Sequence, residues 1–506
     1  MPGPGRKGPA TGIGPARSLR VHGGPAPVEV FAGVADRPFS LWLDSSLVRD
    51  GTGRHSFVAI DPYAVLVASA GRAVWIDGTG ARPLEGGGLA ALERALAEAG
   101  PDGGDPTGAR LPFPGGAAGY VGYEVGAEIE RLPPPRARDL RSADLELAFY
   151  DLVLGWDHVD GAFWIVSTGL PERGEAGLRR AGRRLEAARA WLAGEAGPPA
   201  EHPLPRLAAA VRLAAPAPDC GEVRLRAVPG TDGLVSTFDR DGYETAVREG
   251  VERIRAGDIF QVNLSQRFST RRAADAFETY RDLRARTPAP FGAFFRGATC
   301  TVASASPERF LRVTDGGRVE ARPIKGTRPR GRTPGEDDAL ARALLASDKD
   351  RAENLMIADL LRNDLSRVCL PGSVRAAGLF RLESFATVHH LVSVVEGRMR
   401  RDRGPVDLLR AAFPCGSVTG APKPRAMEII AGLEPTARGP SYGAIGWFGL
   451  DGTLDLGVAI RTVVFAGDRA AFHAGGAVVA DSDPALEYRE TLDKARALAA
   501  SLGHEI

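Results

Sequence analysis

Cysteine is scarce in this sequence. Four stand in 506 residues, at Cys220, Cys300, Cys369 and Cys415, and no two form a C-x-x-C pair. That spacing argues against a disulfide framework or a zinc site and fits a reducing, cytoplasmic setting. An excess of one charge is lacking too. With 64 Lys and Arg against 63 Asp and Glu the net charge is +1, so no global field draws the chain onto nucleic acid or an anionic membrane. No apolar run reaches the ~18 residues of a membrane span. Residues 1–27 are rich in Gly and Pro and lack the apolar stretch of a signal peptide, so a disordered tail is expected there.

What the sequence has is 44% hydrophobic and 25% charged residues, a globular composition at a length that permits two or three domains. Short apolar runs bounded by turn residues, at 39–44 and 56–60, predict a strand-rich stretch over 28–167 within an N-terminal region spanning 28–196. Within it, 173–195 predicts a helix with Leu178, Leu185, Trp191 and Leu192 toward one face. The stretch 197–235, Pro- and Ala-rich in its first half, predicts a linker. A catalytic region then runs over 236–503. It opens with a helix at 241–256, with Asp241 as its N-cap, Tyr243, Val247, Val251 and Ile254 as its apolar face and Gly257 as its stop. Phe260, Val262, Leu264 and Phe268 alternate with Gln261, Asn263, Ser265 and Arg267, which predicts a strand with one apolar and one polar face. Helices are predicted at 348–368 and at 484–502, the latter with Asp483 as N-cap and Pro484 in its first turn. Strands are predicted at 454–465 and 470–479. No βαβ beat is present, so the class is α+β.

Four segments could carry chemistry. In Pro323-Ile324-Lys325-Gly326-Thr327-Arg328-Pro329-Arg330, Lys325 reads either as a solvated surface lysine or as a nucleophile. Apolar surroundings and the following arginines would lower its pKa and free its amine. Asp350 and Glu353 share a helical face, as do Glu487 and Glu490, with Lys494 one turn on. They read either as solvated faces, with a Glu490–Lys494 pair, or as carboxylates for Mg²⁺, which prefers one or two of them plus water and an anionic ligand. The loop from Phe413 to Lys423 fails the phosphate-loop pattern, but its Gly, Ser and Thr can aim donors at a carboxylate. His389 and His390 are adjacent, so in a strand at most one faces a site. No G-x-S-x-G elbow and no glutaminase-like cysteine setting is present.

Together these segments resemble the chorismate-utilising enzymes: the large subunits of anthranilate and aminodeoxychorismate synthases, and the isochorismate and salicylate synthases. The resemblance runs from about Leu41 to Ala495 and rests on residues 257–265, Ser306-Pro307-Glu308-Arg309-Phe310, the Lys325 segment, Asp359 to Leu365, Gly416 to Lys423, and Ala480 to Pro484 with Glu487, Glu490 and Lys494. It implies a two-lobed antiparallel β-sheet core with flanking helices. Isochorismate-type members carry a water-activating lysine where this chain has Gln261, so the resemblance favours amination. Anthranilate synthases read Pro-Ile-Ala-Gly-Thr where Lys325 stands; a lysine there marks the aminodeoxychorismate branch, in which it is the nucleophile.

The resemblance further implies that Mg²⁺ is held by Glu353 and Glu490, with Glu487 and Asp350 assisting. Glu308 would be the general acid, and His390 would line the pocket. Tyr442 and Arg461 would hold the second carboxylate, and Ser417 and Thr419 would supply the hydroxyl-bearing loop. Gly326, Thr327, Gly476, Ala477 and Lys494 would also border the substrate. Ammonia would come from a separate glutamine amidotransferase subunit in a heterodimer. Ser45, Pro290, Phe291 and Gly292 correspond to the tryptophan pocket of the anthranilate enzymes. Gly292 replaces a larger residue there, so tryptophan feedback is not expected, while a structural tryptophan near Ser45 stays open. The competing readings are an anthranilate synthase large subunit and a non-catalytic chorismate- or tryptophan-binding regulator.

Overall fold

A computed structural model describes residues 17–22, 24–49, 51–100, 111–215, 223–271, 275–385 and 388–506. Among them, two large antiparallel sheets stack face to face, one of 13 strands and one of 12. Leu41, Phe57, Phe295 and Val302 from the first sheet meet Val65, Tyr120, Ile445 and Trp447 from the second in a continuous buried core. Helices cover both outer faces. Phe277, Tyr280 and Leu498 seal the first, and Leu92, Ile357, Leu361 and Leu408 seal the second. Period-two alternation builds this layering. In the strand Phe291–Arg296, Phe294 enters the helix-side core while Phe295 enters the core between the sheets.

The N- and C-terminal halves share both sheets. Strand Leu41–Asp44 pairs with Phe291–Arg296, and Gly116–Val121 pairs with Ala444–Gly449. The regions expected at 28–196 and 236–503 are therefore not separate bodies. The expected linker also contains structure. Leu204–Ala214 is a helix whose Leu204, Leu207, Ala208 and Val211 are buried. Pro205 lies in its first turn, where a missing N–H costs nothing, so the prolines mark its start. The tail expected over 1–27 falls outside the described residues up to position 16. Arg17–His22, however, is a strand paired with Ala162–Ser167, and its order comes from hydrogen bonds to that edge.

The helix Gly174–Leu192 buries Leu185 and packs Trp191 and Leu192 against the core as expected, but leaves Leu178 outside. Leu178 is 36% exposed, whereas Arg180, Ala181, Arg184 and Leu185 are buried. Arg184, with no exposed surface, donates to Asp61 at 2.6 Å and to Asp151 at 3.0 Å. A charge paired in this way outranks apolarity in deciding the buried face. Arg184→Met strands two buried carboxylates and is expected to destabilise the fold by about 3–5 kcal/mol; a urea midpoint measures the loss.

The two acidic helices form as expected. Asp348–Ser366 is capped by Ser347, whose hydroxyl accepts Asp350 N–H. Pro484–Ser501 is capped by Asp483, which accepts Leu486 N–H at 2.9 Å. The helix Arg240–Arg255 is capped by Asp239, not Asp241, through Gly242 N–H at 2.9 Å.

Candidate active site

Lys325 lies in the strand Ile324–Pro329, where pairing with Val388–Arg398 is irregular between Ile324 and Thr327. Gly326 makes that bulge at φ +88°, and a Cβ there would press on Asp350 and Leu344 at 3.0 Å. The bulge turns Lys325 inward, and its Nζ donates to Ser417 O at 3.2 Å. Burial lowers its pKa; Glu353 opposes the shift, and Lys494 reinforces it. The neighbouring arginines expected to help are directed elsewhere. Arg328 pairs with Asp350 at 2.8 Å, and Arg330 with Asp337 at 2.6 Å.

Glu308 stands behind this amine, 3% exposed. Burial pushes its carboxyl up to about 7, against the opposing pull of the Ser417 hydroxyl and Lys325. A carboxyl group poised there can hold a proton near neutrality and release it to a leaving oxygen.

The loop carrying Ser417 and Thr419 is buried. Ser417 O also accepts from Asn263 Nδ2 at 3.3 Å. The Thr419 hydroxyl is committed to Cys415 O at 3.1 Å, so it shapes the loop instead of offering a free donor. Lys423 anchors the loop's far end, pairing with buried Asp364 at 2.8 Å and donating to Ala412 O at 2.5 Å.

His390 faces the site and His389 faces away, as adjacent strand residues must. His390 Nδ1 meets the Thr327 hydroxyl at 2.9 Å, and its Nε2 is buried with no partner among the described residues. Burial, then the Arg461 cation, press its imidazole down to about 3, so it is neutral. His389 is held by Asp337 and Ser384. Arg461 has no ion-pair partner among the described residues, and burial lowers its pKa. Tyr442 (φ +63°) and Arg461 (φ +50°) both occupy the left-handed region. Side chains enter that region when surrounding structure imposes it, which occurs most often at functional sites.

Sequence alone could not show that the two acidic helices meet. Their acidic faces border one space: Lys325 feels both Glu353 and Glu490, and Glu353 feels Glu490. Gly476 pairs with Leu264, and Ala477 with Asn263. A Cβ at Gly476 would lie 3.0 Å from Glu487 Oε2 and 3.3 Å from Glu490 Oε1, so glycine leaves a cradle beside two carboxylates. Glu487 Oε2 is buried without a partner, while Oε1 accepts from Ser482 at 2.7 Å. An orphaned buried carboxylate oxygen beside that gap fits a hard cation. Among the described residues no three acid, imidazole or thiol groups converge on one point. Two residues expected at the site, Asp350 beside the metal and Lys494 beside the substrate, have protein partners. Asp350 is taken by Arg328, and Lys494 pairs with Glu490 at 2.6 Å and donates to Gly475 O at 2.9 Å.

The sequence profile of the chorismate binding enzymes matches residues 44–500. The chain belongs to that family. It is 41% identical to an aminodeoxychorismate synthase of Streptomyces griseus over 98% of its own length, spanning 66% of that relative. It is 37% identical to aminodeoxychorismate synthase component 1 of Klebsiella aerogenes, covering 92% of this chain and 94% of the relative. The crystal structure of anthranilate synthase component I from Streptococcus pneumoniae superposes with a TM-score of 0.72 at 30% identity, over 89% of this chain and 93% of that one. The expected α+β fold of antiparallel sheets and flanking helices is the fold of this chorismate binding enzyme. No helix among its described residues is long and apolar enough to cross a membrane.

Ser45, Pro290, Phe291 and Gly292 line a cavity of about 390 Å³, distinct from the Lys325 site. The Ser45 hydroxyl donates to main chain, with His55 O at 2.6 Å and Pro290 O at 3.2 Å. Asp44 is taken by Arg284 at 2.5 Å and Tyr280 at 3.0 Å. The polar groups nearest Gly292 are thus already satisfied.

Some residues at the site escaped the sequence reading. Lys349 faces Glu353, Glu487 and Glu490, and its position one turn before Glu353 was the available signal. Arg49, from the N-terminal half, stacks on Phe385 at 4.5 Å, and Phe385 packs against His390 at 5.0 Å. No local pattern marks that contact.

Proposed function

We propose that this chain is the chorismate-aminating subunit of an aminodeoxychorismate synthase, converting chorismate and ammonia to 4-amino-4-deoxychorismate. The observation that carries this reading is the enclosed Lys325 amine, set among the Glu308 carboxyl group and the acidic faces of two helices. The names of the Streptomyces and Klebsiella relatives support it.

The ring carboxylate of chorismate is oriented at Glu353, Glu490 and Glu487, where Mg²⁺, when bound, supplies charge neutralisation and a fixed geometry. Arg461 and Tyr442 take the second carboxylate, for which a guanidinium is well shaped. The neutral Lys325 amine bonds to C2, the C1–C2 and C5–C6 double bonds move to C1–C6 and C4–C5, and the C4–O bond breaks. The Glu308 proton goes to the departing oxygen, which leaves as water. Ammonia then bonds to C4, both double bonds move back, Lys325 departs from C2 as the amine, and the new C4 ammonium group returns a proton to Glu308. The ammonia is supplied by a glutamine amidotransferase partner, as the "component 1" of the Klebsiella relative's name suggests. We place the chain in the cytoplasm, in keeping with its buried free thiols Cys300, Cys369 and Cys415.

Product analysis tests the proposal. With chorismate, Mg²⁺ and ammonium, chromatography is expected to show aminodeoxychorismate, with 4-aminobenzoate forming only when a lyase is added. Prompt anthranilate fluorescence without lyase would establish the anthranilate synthase reading instead. Metal removal is a separate check. EDTA is expected to abolish turnover and Mg²⁺ to restore it. Glu490→Gln is expected to raise the Mg²⁺ concentration for half-maximal rate by about tenfold or more, since a single carboxylate carries much of a Mg²⁺ site.

A further inference from the structure

Arg438 lies in the segment that follows the helix Lys423–Leu433, four residues past its C-cap Glu434, and is 3% exposed. Its guanidinium is sandwiched between two rings, with Cζ 4.5 Å from the Tyr123 centroid and 4.6 Å from that of Tyr442. In its plane it donates to both oxygens of Glu434, from Nε at 2.9 Å and Nη2 at 2.6 Å. It also donates to Val418 O and to Asn263 O, each at 2.8 Å. Val418 joins Ser417 to Thr419, and Asn263 Nδ2 reaches Ser417 O, the carbonyl that receives Lys325 Nζ. The backbone N–H groups of Arg438 and Gly439 are held by Glu124 at 2.8 and 2.9 Å, which fixes the turn leading to the left-handed Tyr442.

Glu434 alone neutralises the charge. The two ring faces and two pocket carbonyls are additional, and they determine where Tyr442 and the Ser417–Thr419 loop sit. A guanidinium can do this because its planar fork bonds in the plane while its faces stack. Lysine has no such plane.

We propose that Arg438 is a positioning residue for the substrate pocket: it orients the Tyr442 ring toward a substrate carboxylate and pins the Ser417–Thr419 loop, without itself touching substrate. This deepens the reading above and rests on it.

The test uses the full chain carrying Lys325→Ala, which holds chorismate without turnover. Chorismate binding with Mg²⁺ is titrated for this parent, for added Arg438→Lys, for added Tyr442→Phe, and for both together. Each single change is expected to weaken binding about tenfold, the scale of a lost desolvated stacking or charge-assisted contact. The pair is expected to cost no more than about twice the worse single change, because the two act through one group. A purely structural role would give losses that multiply, and that result overturns the proposal. So does binding within about twofold of the parent in the Arg438→Lys protein. If Arg438→Lys does not fold, as judged by its thermal midpoint, Tyr123→Leu removes one face of the sandwich and keeps the Glu434 pair. It is expected to weaken binding about threefold or more and to show the same coupling to Tyr442→Phe, and an unchanged affinity overturns the proposal. Absence of chorismate binding in the parent sinks the chorismate reading as well. Normal binding in the parent with no effect at Arg438 or Tyr123 sinks this inference alone.

Discussion

Lys325→Ala is expected to lower the rate of amination at C4 by at least about a thousandfold, the order lost when a nucleophile is removed, while chorismate still binds. The expectation follows from what surrounds the amine. Its Nζ has Ser417 O as acceptor, and burial favours its uncharged form. An uncharged amine has the lone pair that attack at C2 requires. Arg461 and Tyr442, proposed to take the second carboxylate, lie outside the strand that carries Lys325, so the loss should fall on kcat far more than on affinity. Quenched-flow product analysis separates the two. C4 amination at the wild-type rate would rule out covalent catalysis.

Glu308→Gln should cost about 10²–10⁴ in kcat, the usual worth of a general acid. The pH profile is the sharper readout. Burial places the Glu308 carboxyl at about 7, and its working form is the protonated one. That form is present below pH 7 and lost above it. The rate limited by C4–O cleavage therefore falls about tenfold per pH unit on the alkaline side. The requirement for a neutral Lys325 works in the opposite direction, raising the rate with pH. Glu308→Gln should abolish the alkaline fall and leave the rise. A wild-type profile that keeps climbing well above pH 8 would mean that another group protonates the leaving oxygen.

The chemistry-bearing residues were legible because they sit in short ordered motifs. Lys325 is brought to Ser417 and Glu308, His390 to Thr327, and Gly326 and Gly476 have neighbours that a Cβ would crowd. The arginines after Lys325 show the limit of reading neighbours as surroundings. Adjacency in sequence suggested that they depress its pKa, but in a strand they point away, and helix acids take them. Phe260 shows the same limit. It fits the apolar alternation yet is 72% exposed, one residue before the strand starts, while Gln261, Asn263, Ser265 and Arg267 on the polar face are buried. Two residues of that face meet other polar groups. Ser265 donates to Glu434 at 3.0 Å, and Arg267 pairs with Asp139. Such pairings span 128 to 169 residues, and no local window registers them. For the same reason the sharing of both sheets between the two halves was hidden, and with it the contact of Arg49 and Tyr123 with the site.

The most direct measurement mixes the enzyme with chorismate and Mg²⁺ in the absence of ammonia, quenches it, and maps its peptides by mass spectrometry. An adduct of chorismate less water is expected on Lys325, absent from Lys325→Ala and discharged by added ammonium. Turnover with ammonium by an enzyme whose Lys325 peptide stays unmodified at every quench time, or an adduct on a different side chain, would contradict it.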